Sequence, residues 1–247
     1  MEPDAVNDAR LAADIATEAG ALLLALQGTM APCRELGTAG DAQANRLILD
    51  RLRDARPEDF VLSEEAADDP ARCAAQRLWV VDPLDGTREY AEGRDDWAVH
   101  IGLSIDGVAV TGAVALPGLG VTLASDAPPP LAPLPQRPRM VVSRSRPPAE
   151  AVKVADALGA ERIPMGSAGA KAMAVVRGTA DIYLHAGGQY AWDNCAPAAV
   201  AIATGLHVSR IDGSPLVYNC IDVSVPDLLI CRIEWADRVL ALLAQAD

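Results

Sequence analysis

Apolar side chains recur at helical spacing near the start of the chain. The positions are Leu11, Ile15, Ala19, Leu22, Leu23 and Leu26. Their spacing predicts a helix with one buried face, and Gly28 is placed to end it. A second helix is predicted from about Asp41 to Ala55, because the residue before Pro57 is restricted in its backbone conformation. We therefore expect two helices ahead of the first strand.

Short apolar runs then predict strands. Phe60–Ser63 and Leu78–Val81 are the first two. Trp97–Ile105 and Val108–Leu116 are separated by Asp106-Gly107, a pair of residues typical of a tight hairpin turn. The first half of the chain is thus predicted to be an α+β unit that combines helices with an antiparallel sheet.

Six prolines between Pro128 and Pro138 form a run that cannot enter a central strand or a helix interior. After this run, strand and helix patterns alternate, which is typical of an α/β layer. The predicted strands are Arg139–Val142, Ala180–Leu184, Leu206–Ser209 and Asp227–Arg232, and the predicted helices are Pro148–Leu158, Ser167–Arg177, Ala196–Thr204 and Ile233–Ala244. We expect an N-terminal domain of residues 1–127, a linker of residues 128–138 and a C-terminal domain of residues 139–247.

Composition narrows the classes of function. The formal net charge of −13 argues against binding nucleic acid by neutralising its phosphates, but not against a small phosphorylated substrate held through cations. The five cysteines include no C-x-x-C pair, which favours reduced thiols over disulfides or a zinc site. Ala21–Leu26 is too short to span a bilayer, and Met1–Arg10 is unlike a signal peptide. We expect a cytoplasmic protein with no membrane or nucleic-acid partner.

The hexapeptide Asp82-Pro83-Leu84-Asp85-Gly86-Thr87 carries the strongest chemical signal. Two carboxylates three residues apart follow an apolar strand, and Gly86 and Thr87 stand where a helix can begin. Carboxylate oxygens bind hard divalent cations, and the amide groups at a helix start bind phosphate. The pattern favours a metal-assisted phosphatase site. The alternative is a surface turn, which would not require both carboxylates and the threonine.

Further acids lie at the predicted ends of elements. Asp41 opens the second helix, Glu64-Glu65 follows the first strand, and Trp192-Asp193 opens a late helix. Gly166-Ser167-Ala168 opens another helix. Taken singly, each is best explained as a helix cap or a solvated turn. Because strand exits and helix starts can meet in one cleft, we expect these residues to converge.

Together these motifs resemble the inositol monophosphatase-like superfamily of magnesium-dependent, lithium-sensitive phosphatases. The matching pieces are Asp41, Leu62-Ser63-Glu64-Glu65, Asp82 to Thr87, and Trp192-Asp193-Asn194-Cys195-Ala196. The resemblance covers nearly the whole chain. It implies a layered αβαβα sandwich with mixed α+β and α/β character, and it implies a homodimer.

Finer features resemble one branch, the bacterial 3′-phosphoadenosine 5′-phosphate phosphatases. Arg88-Glu89-Tyr90 after Thr87 is similar to that branch, as is Ser143-Arg144-Ser145-Arg146, although Arg146 stands where the branch has histidine. No carboxylate lies between Leu184 and Trp192, where inositol enzymes typically carry a glutamate. The resemblance therefore implies release of the 3′-phosphate to give AMP, in sulfur assimilation. Inositol-1-phosphate and fructose-1,6-bisphosphate stay as alternative substrates.

The resemblance also implies roles for individual residues. One Mg²⁺ would be held by Glu64, Asp82 and the Leu84 carbonyl, a second by Asp82, Asp85 and Asp193, and a third, weaker ion near Asp41 and Glu64. Two or three ions are thus expected. The implied catalytic residues are Asp41, Thr87 and Glu64. The implied substrate contacts are Gly86, Thr87, Ser143, Arg144, Gly166, Ser167, Ala168, Lys171 and Asp193.

Several alternatives stay open. A haloacid-dehalogenase-type phosphatase has a D-x-D-G motif, but the spacing in this chain is one residue longer. An inactive binder or sensor of adenosine bisphosphate should have lost one of the acids or Thr87, and none is missing. Lys171 would contact a second phosphate or lie on a solvated helix face. We interpret Tyr190 as a core aromatic, with stacking on a base as the alternative, and His100, His185 and His207 as structural residues.

Overall fold

The structure is a computed structural model that describes residues 3–245. Within this range the α-helices are α1 (Pro3–Thr29), α2 (Arg34–Ala55), α3 (Thr87–Ala91), α4 (Ala149–Leu158), α5 (Ala168–Val176), α6 (Ala191–Ala203) and α7 (Ile233–Ala244). The strands are β1 (Phe60–Ser63), β2 (Arg77–Asp85), β3 (Ala98–Ile105), β4 (Val108–Leu116), β5 (Val121–Ala124), β6 (Arg139–Ser143), β7 (Glu161–Met165), β8 (Ile182–Tyr190), β9 (His207–Ser209) and β10 (Ser224–Cys231). The outermost residues of the two predicted domains, 1–2 and 246–247, lie outside the described residues.

The first five strands form one sheet in the order β1-β2-β3-β4-β5. β1 and β2 are parallel, and the other neighbouring strands are antiparallel. The predicted hairpin is confirmed, since Asp106-Gly107 joins β3 to β4 and Ile105 pairs with Val108. Because Ser63 pairs with Val81 in the parallel register, Glu64 and Asp82 emerge at the same edge of the sheet.

The second sheet has the order β7-β6-β8-β10-β9. β6 is parallel to both β7 and β8, whereas β10 is antiparallel to β8 and β9. β8 is a central strand, and α6 follows it without a loop. The direct connection places the first turn of α6, with Asp193, at the end of β8.

The helices and sheets stack in five layers. α1 and α2 cover the outer face of the first sheet, around Trp79 and Ile101. α5 and α6 lie between the sheets, where one apolar cluster joins Val114 of β4 to Ile230 of β10. α4 and α7 cover the outer face of the second sheet. Burial of apolar surface on both faces of each sheet stabilises this arrangement, an αβαβα sandwich that confirms the predicted fold class.

The second helix starts earlier than predicted. α2 begins at Arg34, so Asp41 lies inside the helix and not at its start. Gly40 lies inside this helix, where its role is close packing. A Cβ added at Gly40 would lie 2.9 Å from the Tyr90 ring and 3.0 Å from a methyl group of Leu84. The glycine lets α2 approach the segment that carries the Asp82–Thr87 motif.

Other predicted boundaries also move. β2 continues through Asp85, so Val81 is not the strand exit, and β8 covers Ile182–Tyr190 instead of Ala180–Leu184. α6 begins at Ala191, and the predicted start at Ala196 is wrong. β5 and β7 were not predicted. Both are edge strands with few buried residues, and their alternating apolar runs, Val121–Leu123 and Ile163–Met165, are only three residues long.

Candidate active site

Three carboxylates from distant parts of the chain meet between the two sheets. Asp82 and Asp85 end β2, and Asp193 lies in the first turn of α6. One carboxylate oxygen from each lies within 4.8 Å of the others. Asp82 and Asp85 are buried. The structure thus brings the acid of the second half to the acidic pair of the first half.

Local geometry aims these side chains inward. The pairing of β2 with β3 shifts between Asp82 and Asp85, so a bulge lets both acids leave the same strand near one point. Asp82 Oδ1 accepts a hydrogen bond of 3.0 Å from the amide of Leu84. Asp193 Oδ2 accepts one of 2.6 Å from the amide of Tyr190 and so caps α6.

The surroundings shift the pKa values of the three acids in different directions. Burial, with the charges of Asp85 and Glu64, raises the pKa of Asp82 well above its ordinary value. Burial and Asp85 raise the pKa of Asp193 to about 6. Burial alone would also raise the pKa of Asp85, but His100 and hydrogen bonds from Ser167 and Gly169 lower it to about 2. The cluster therefore holds more negative charge than its surroundings can stabilise, which favours a bound cation.

Two further acids lie beside the cluster. Glu64 follows β1, and burial together with the charge of Asp193 raises its pKa to about 7. Burial and Glu65 raise the pKa of Asp41 to about 7. These two carboxyl groups change charge near neutral pH, the range in which a side chain can exchange protons with a reacting group.

Thr87 links Asp41 to the motif strand. Its Oγ1 lies 3.3 Å from Asp41 Oδ1 and 3.1 Å from the carbonyl oxygen of Leu84, within hydrogen-bonding distance of both. Gly86 immediately precedes Thr87 and forms the N-terminal boundary of α3. The helix position of Asp41 was not expected, but α2 still carries its carboxylate to the hydroxyl of Thr87.

The start of α5 lies against Asp85. Ser167 Oγ donates a short hydrogen bond to Asp85, and the amides of Ala168 and Gly169 donate bonds of 3.1 and 2.6 Å. Gly166 donates its amide to Asp96 Oδ2 at 2.7 Å. The segment Gly166–Ala168 therefore ties the second half of the chain to an acid of the first half.

Lys171 does not lie on a solvated helix face. The residue is 6% exposed, and its Nζ donates to the carbonyl oxygens of Gly166 and Ser167 at 2.8 and 2.6 Å. Nζ also lies 5.5 Å from the centre of the Tyr183 ring. The ammonium group therefore supports the loop in front of α5 from within.

Ser143 and Arg144 lie beside Met165, the residue that leads into that loop. Ser143 ends β6, and its Oγ accepts a hydrogen bond of 3.2 Å from the amide of Arg146. Arg144 Nη2 donates to Glu89 at 2.7 Å and to Glu92 at 3.1 Å. Both glutamates belong to the short α3 segment or its end, so Arg144 is another link between the two halves.

The structure overturns the assignment of Tyr190 and is consistent with the structural assignment of His100. Tyr190 is 51% exposed and stacks on Trp192 with ring centres 4.9 Å apart, so the core assignment is wrong. His100 is buried, and its Nε2 lies 3.3 Å from Asp85 Oδ2. The antiparallel register of β2 and β3 places His100 opposite Asp82 and so beside the acidic pair.

Comparisons with known proteins find related sequences over nearly the whole chain. The model of the inositol monophosphatase family matches residues 9–127 and 135–246. The 3′-phosphoadenosine 5′-phosphate phosphatase of Mycobacterium tuberculosis is 52% identical over 85% of this chain and 83% of its own. The protein of the same name from Mycobacterium leprae is 49% identical over 97% and 94%.

A solved structure shares the fold of this chain. The crystal structure of CysQ from Bacteroides thetaiotaomicron, described as a bacterial member of the inositol monophosphatase family, superposes with a TM-score of 0.78. The two chains are 27% identical, and the match covers 92% of this chain and 97% of the other. Between residues 3 and 245, no helix combines the length and the apolar character needed to cross a bilayer. The chain belongs to the inositol monophosphatase family.

Proposed function

We propose that this chain is a Mg²⁺-dependent phosphatase that hydrolyses the 3′-phosphate of 3′-phosphoadenosine 5′-phosphate (PAP) to AMP and phosphate. The convergence of Asp82, Asp85 and Asp193 within 4.8 Å supports a metal-assisted reaction. The names of relatives about 50% identical support the substrate. We further propose that the reaction serves sulfur assimilation, that lithium inhibits it, and that the enzyme is cytoplasmic and homodimeric.

The donor set fits magnesium. All the side chains offered are carboxylates, the oxygen ligands that hard divalent cations prefer. Glu64, Asp82, Asp85, Asp193 and the Leu84 carbonyl would hold two ions, and a third would lie near Asp41. When bound, Mg²⁺ supplies positive charge that stabilises the transferred phosphoryl group and its leaving oxygen. The raised pKa of buried Asp82 is the expected signature of acids gathered for a cation.

The chain's own residues would then handle the proton and the substrate. Asp41, whose pKa is raised to about 7, is suited to accept the proton of the attacking water at Oδ1. Thr87 Oγ1 would hold that carboxylate in place. Glu64 would assist this proton transfer from its position beside the metal cluster. We propose Gly86, Thr87, Ser143, Arg144, Gly166, Ser167, Ala168, Lys171 and Asp193 as substrate contacts.

Two features favour a nucleotide over inositol phosphate. No carboxylate lies between Leu184 and Trp192, so that segment offers no acid for ring hydroxyls. The exposed Tyr190–Trp192 stack lies beside Asp193 and offers an aromatic face to a base. Residues 1–127 and 139–247 would act as two domains with the cleft between them, joined by the linker of residues 128–138.

The decisive experiment compares substrates. Phosphate release from PAP, inositol-1-phosphate and fructose-1,6-bisphosphate is measured with Mg²⁺ and, as a control, with excess EDTA. We expect kcat/KM to be highest for PAP and all activity to disappear with EDTA. A higher kcat/KM for inositol-1-phosphate or fructose-1,6-bisphosphate would contradict the substrate assignment. Binding of PAP with no turnover at saturating Mg²⁺ would instead favour the inactive sensor.

Metal-free protein is expected to lose stability as the pH rises from about 4 to about 7. Asp41 and Glu64 have a pKa of about 7 and Asp193 of about 6 in the fold, against ordinary values of 3.8, 4.5 and 3.8. Over this window the folded state holds more protons than the unfolded chain, so deprotonation reduces the free energy of unfolding. Asp85 acts in the opposite sense, since its pKa of about 2 confers stability that is lost only at lower pH.

Mg²⁺ competes with these protons, so its effect should grow over the same range. Thermal melts at about pH 5 and about pH 8 would be recorded in EDTA, in Mg²⁺ and in a potassium salt of equal ionic strength. We expect Mg²⁺ to raise Tm more at the higher pH. An equal or larger rise at the lower pH would contradict the proton competition.

A further inference from the structure

His100 occupies a position that connects both halves of the metal cluster. It lies on β3 in the first sheet and is fully buried. Its Nδ1 is 2.9 Å from the carbonyl oxygen of Trp192, in the first turn of α6. Its Nε2 is 3.3 Å from Asp85 Oδ2. One ring therefore reaches an acid of the first half and the backbone next to Asp193 in the second half.

The two nitrogens make different contacts. A carbonyl oxygen only accepts hydrogen bonds, so Nδ1 donates to Trp192 and fixes the orientation of the ring. Nε2 faces Asp85 outside hydrogen-bond geometry and has no other hydrogen-bond partner among residues 3–245. A buried polar atom without a hydrogen-bond partner requires an explanation, and this Nε2 points at Asp85, a proposed metal ligand.

The ring is also confined by α5. A Cβ added at Gly169 would lie 2.0 Å from Nε2, so the helix backbone packs closely against the imidazole. Gly169 at the same time donates its amide to Asp85 at 2.6 Å. His100 therefore cannot move away from Asp85 without displacing the start of α5. The contact is part of a packed unit and not a loose surface pair.

We propose that His100 is a positioning residue that holds Asp85 and the Asp193 turn at the separation required to bind Mg²⁺. This inference rests on the proposed function. His100 touches neither the substrate nor the reacting atoms and acts through the two acids. Groups around a ligand commonly set its orientation, and their loss typically lowers metal affinity by about 10–100-fold. Among the described residues, no other side chain makes a hydrogen bond or ion pair that joins Asp85 to the backbone of Trp192.

Three substitutions separate the two contacts. His100→Asn keeps an amide nitrogen near the position of Nδ1, and His100→Gln keeps one near the position of Nε2. His100→Ala removes both. His207→Gln is the matched control, because His207 is a partly buried histidine on β9 whose Nε2 is hydrogen-bonded to Ser209 at 2.8 Å. All four variants and the wild type would be compared in the same buffers.

The primary readout is Mg²⁺ binding measured by calorimetry in the absence of substrate. We expect His100→Ala to weaken binding by about 10–100-fold. His100→Gln and His100→Asn should each recover part of the loss, and His207→Gln should bind as the wild type does. In assays with PAP, the half-saturating Mg²⁺ concentration should rise while kcat at saturating Mg²⁺ changes much less.

The outcomes are distinguishable. Wild-type Mg²⁺ affinity in folded His100→Gln and His100→Asn, with lower stability alone, would make His100 an ordinary core residue and overturn the inference. The two polar variants decide the question even where His100→Ala does not fold. Failure of the wild type to bind Mg²⁺ or to hydrolyse PAP would instead remove the proposed function on which the inference rests.

Discussion

Asp82→Asn is expected to lower Mg²⁺-dependent phosphate release by at least about 100-fold, since losing even an outer partner of a metal site costs about 10–100-fold. Asp82 is proposed to contact both principal ions, so its replacement affects both at once. Asparagine is nearly the same size and keeps one oxygen, so the shape of the site is retained. Phosphate release from PAP over a range of Mg²⁺ concentrations measures the effect.

The same substitution should have the opposite effect on stability without metal. Burial and three neighbouring acids raise the pKa of Asp82 well above its ordinary value, so its charged form is disfavoured in the fold. A neutral amide removes that conflict. We expect the metal-free Tm of Asp82→Asn to equal or exceed that of the wild type, while the rise in Tm on adding Mg²⁺ largely disappears.

Asp126→Asn is the matched control for this experiment. Asp126 is exposed and follows β5, which β3 and β4 separate from β2, so its substitution should change neither activity nor the response to Mg²⁺. Near-normal turnover by Asp82→Asn would refute the metal assignment. Loss of activity with a normal Mg²⁺-dependent rise in Tm would place Asp82 in catalysis and not in metal binding.

Asp41→Asn is expected to reduce kcat by about 10²–10⁴-fold, the range typical for loss of a general base. The carboxyl of Asp41 has a pKa of about 7 and lies 3.3 Å from Thr87 Oγ1. Asparagine keeps the hydrogen bond to Thr87 but cannot accept a proton from water. Steady-state kinetics with PAP, at saturating Mg²⁺, give the change in kcat.

Substitutions of Thr87 test its hydrogen bond to Asp41. Thr87→Ser keeps the hydroxyl and should retain most activity, whereas Thr87→Val removes it and should lower kcat. Glu35→Gln is the control, because Glu35 is exposed in the first turn of the same helix. A rise in the half-saturating Mg²⁺ concentration at unchanged kcat would make Asp41 a ligand of the third ion and contradict its role as base.

Much of the fold could be predicted from the sequence, because the signals were local. The hairpin at Asp106-Gly107 follows from two residues suited to a tight turn between apolar runs. The layered fold followed from the resemblance. Element ends were less predictable where a residue serves packing and not local conformation. The predicted start of α2 at Asp41 was too late, because Gly40 lies inside the helix where Tyr90 and Leu84 approach closely.

The residues of the site also differ in how far the sequence alone could identify them. Asp82 and Asp85 could be identified because both lie within one hexapeptide whose spacing itself indicates metal chemistry. Lys171 and Tyr190 were harder, since their exposure depends on elements far away in the sequence. Lys171 is buried against Gly166, Ser167 and Tyr183, whereas Tyr190, the last residue of β8, is exposed and stacks on Trp192.

The sequence by itself determined the kind of chemistry: a group of acids, a threonine and glycine-containing turns in a recognisable order. Only the tertiary structure decided their arrangement, because the bonds from Ser167, Ala168 and Gly169 to Asp85 join residues more than eighty positions apart. Such contacts form where α5 and α6 pack between the two sheets, and no local pattern specifies that placement. His100 is the clearest case. It lies in an apolar strand, and its proposed role follows only from its contacts with Asp85 and Trp192.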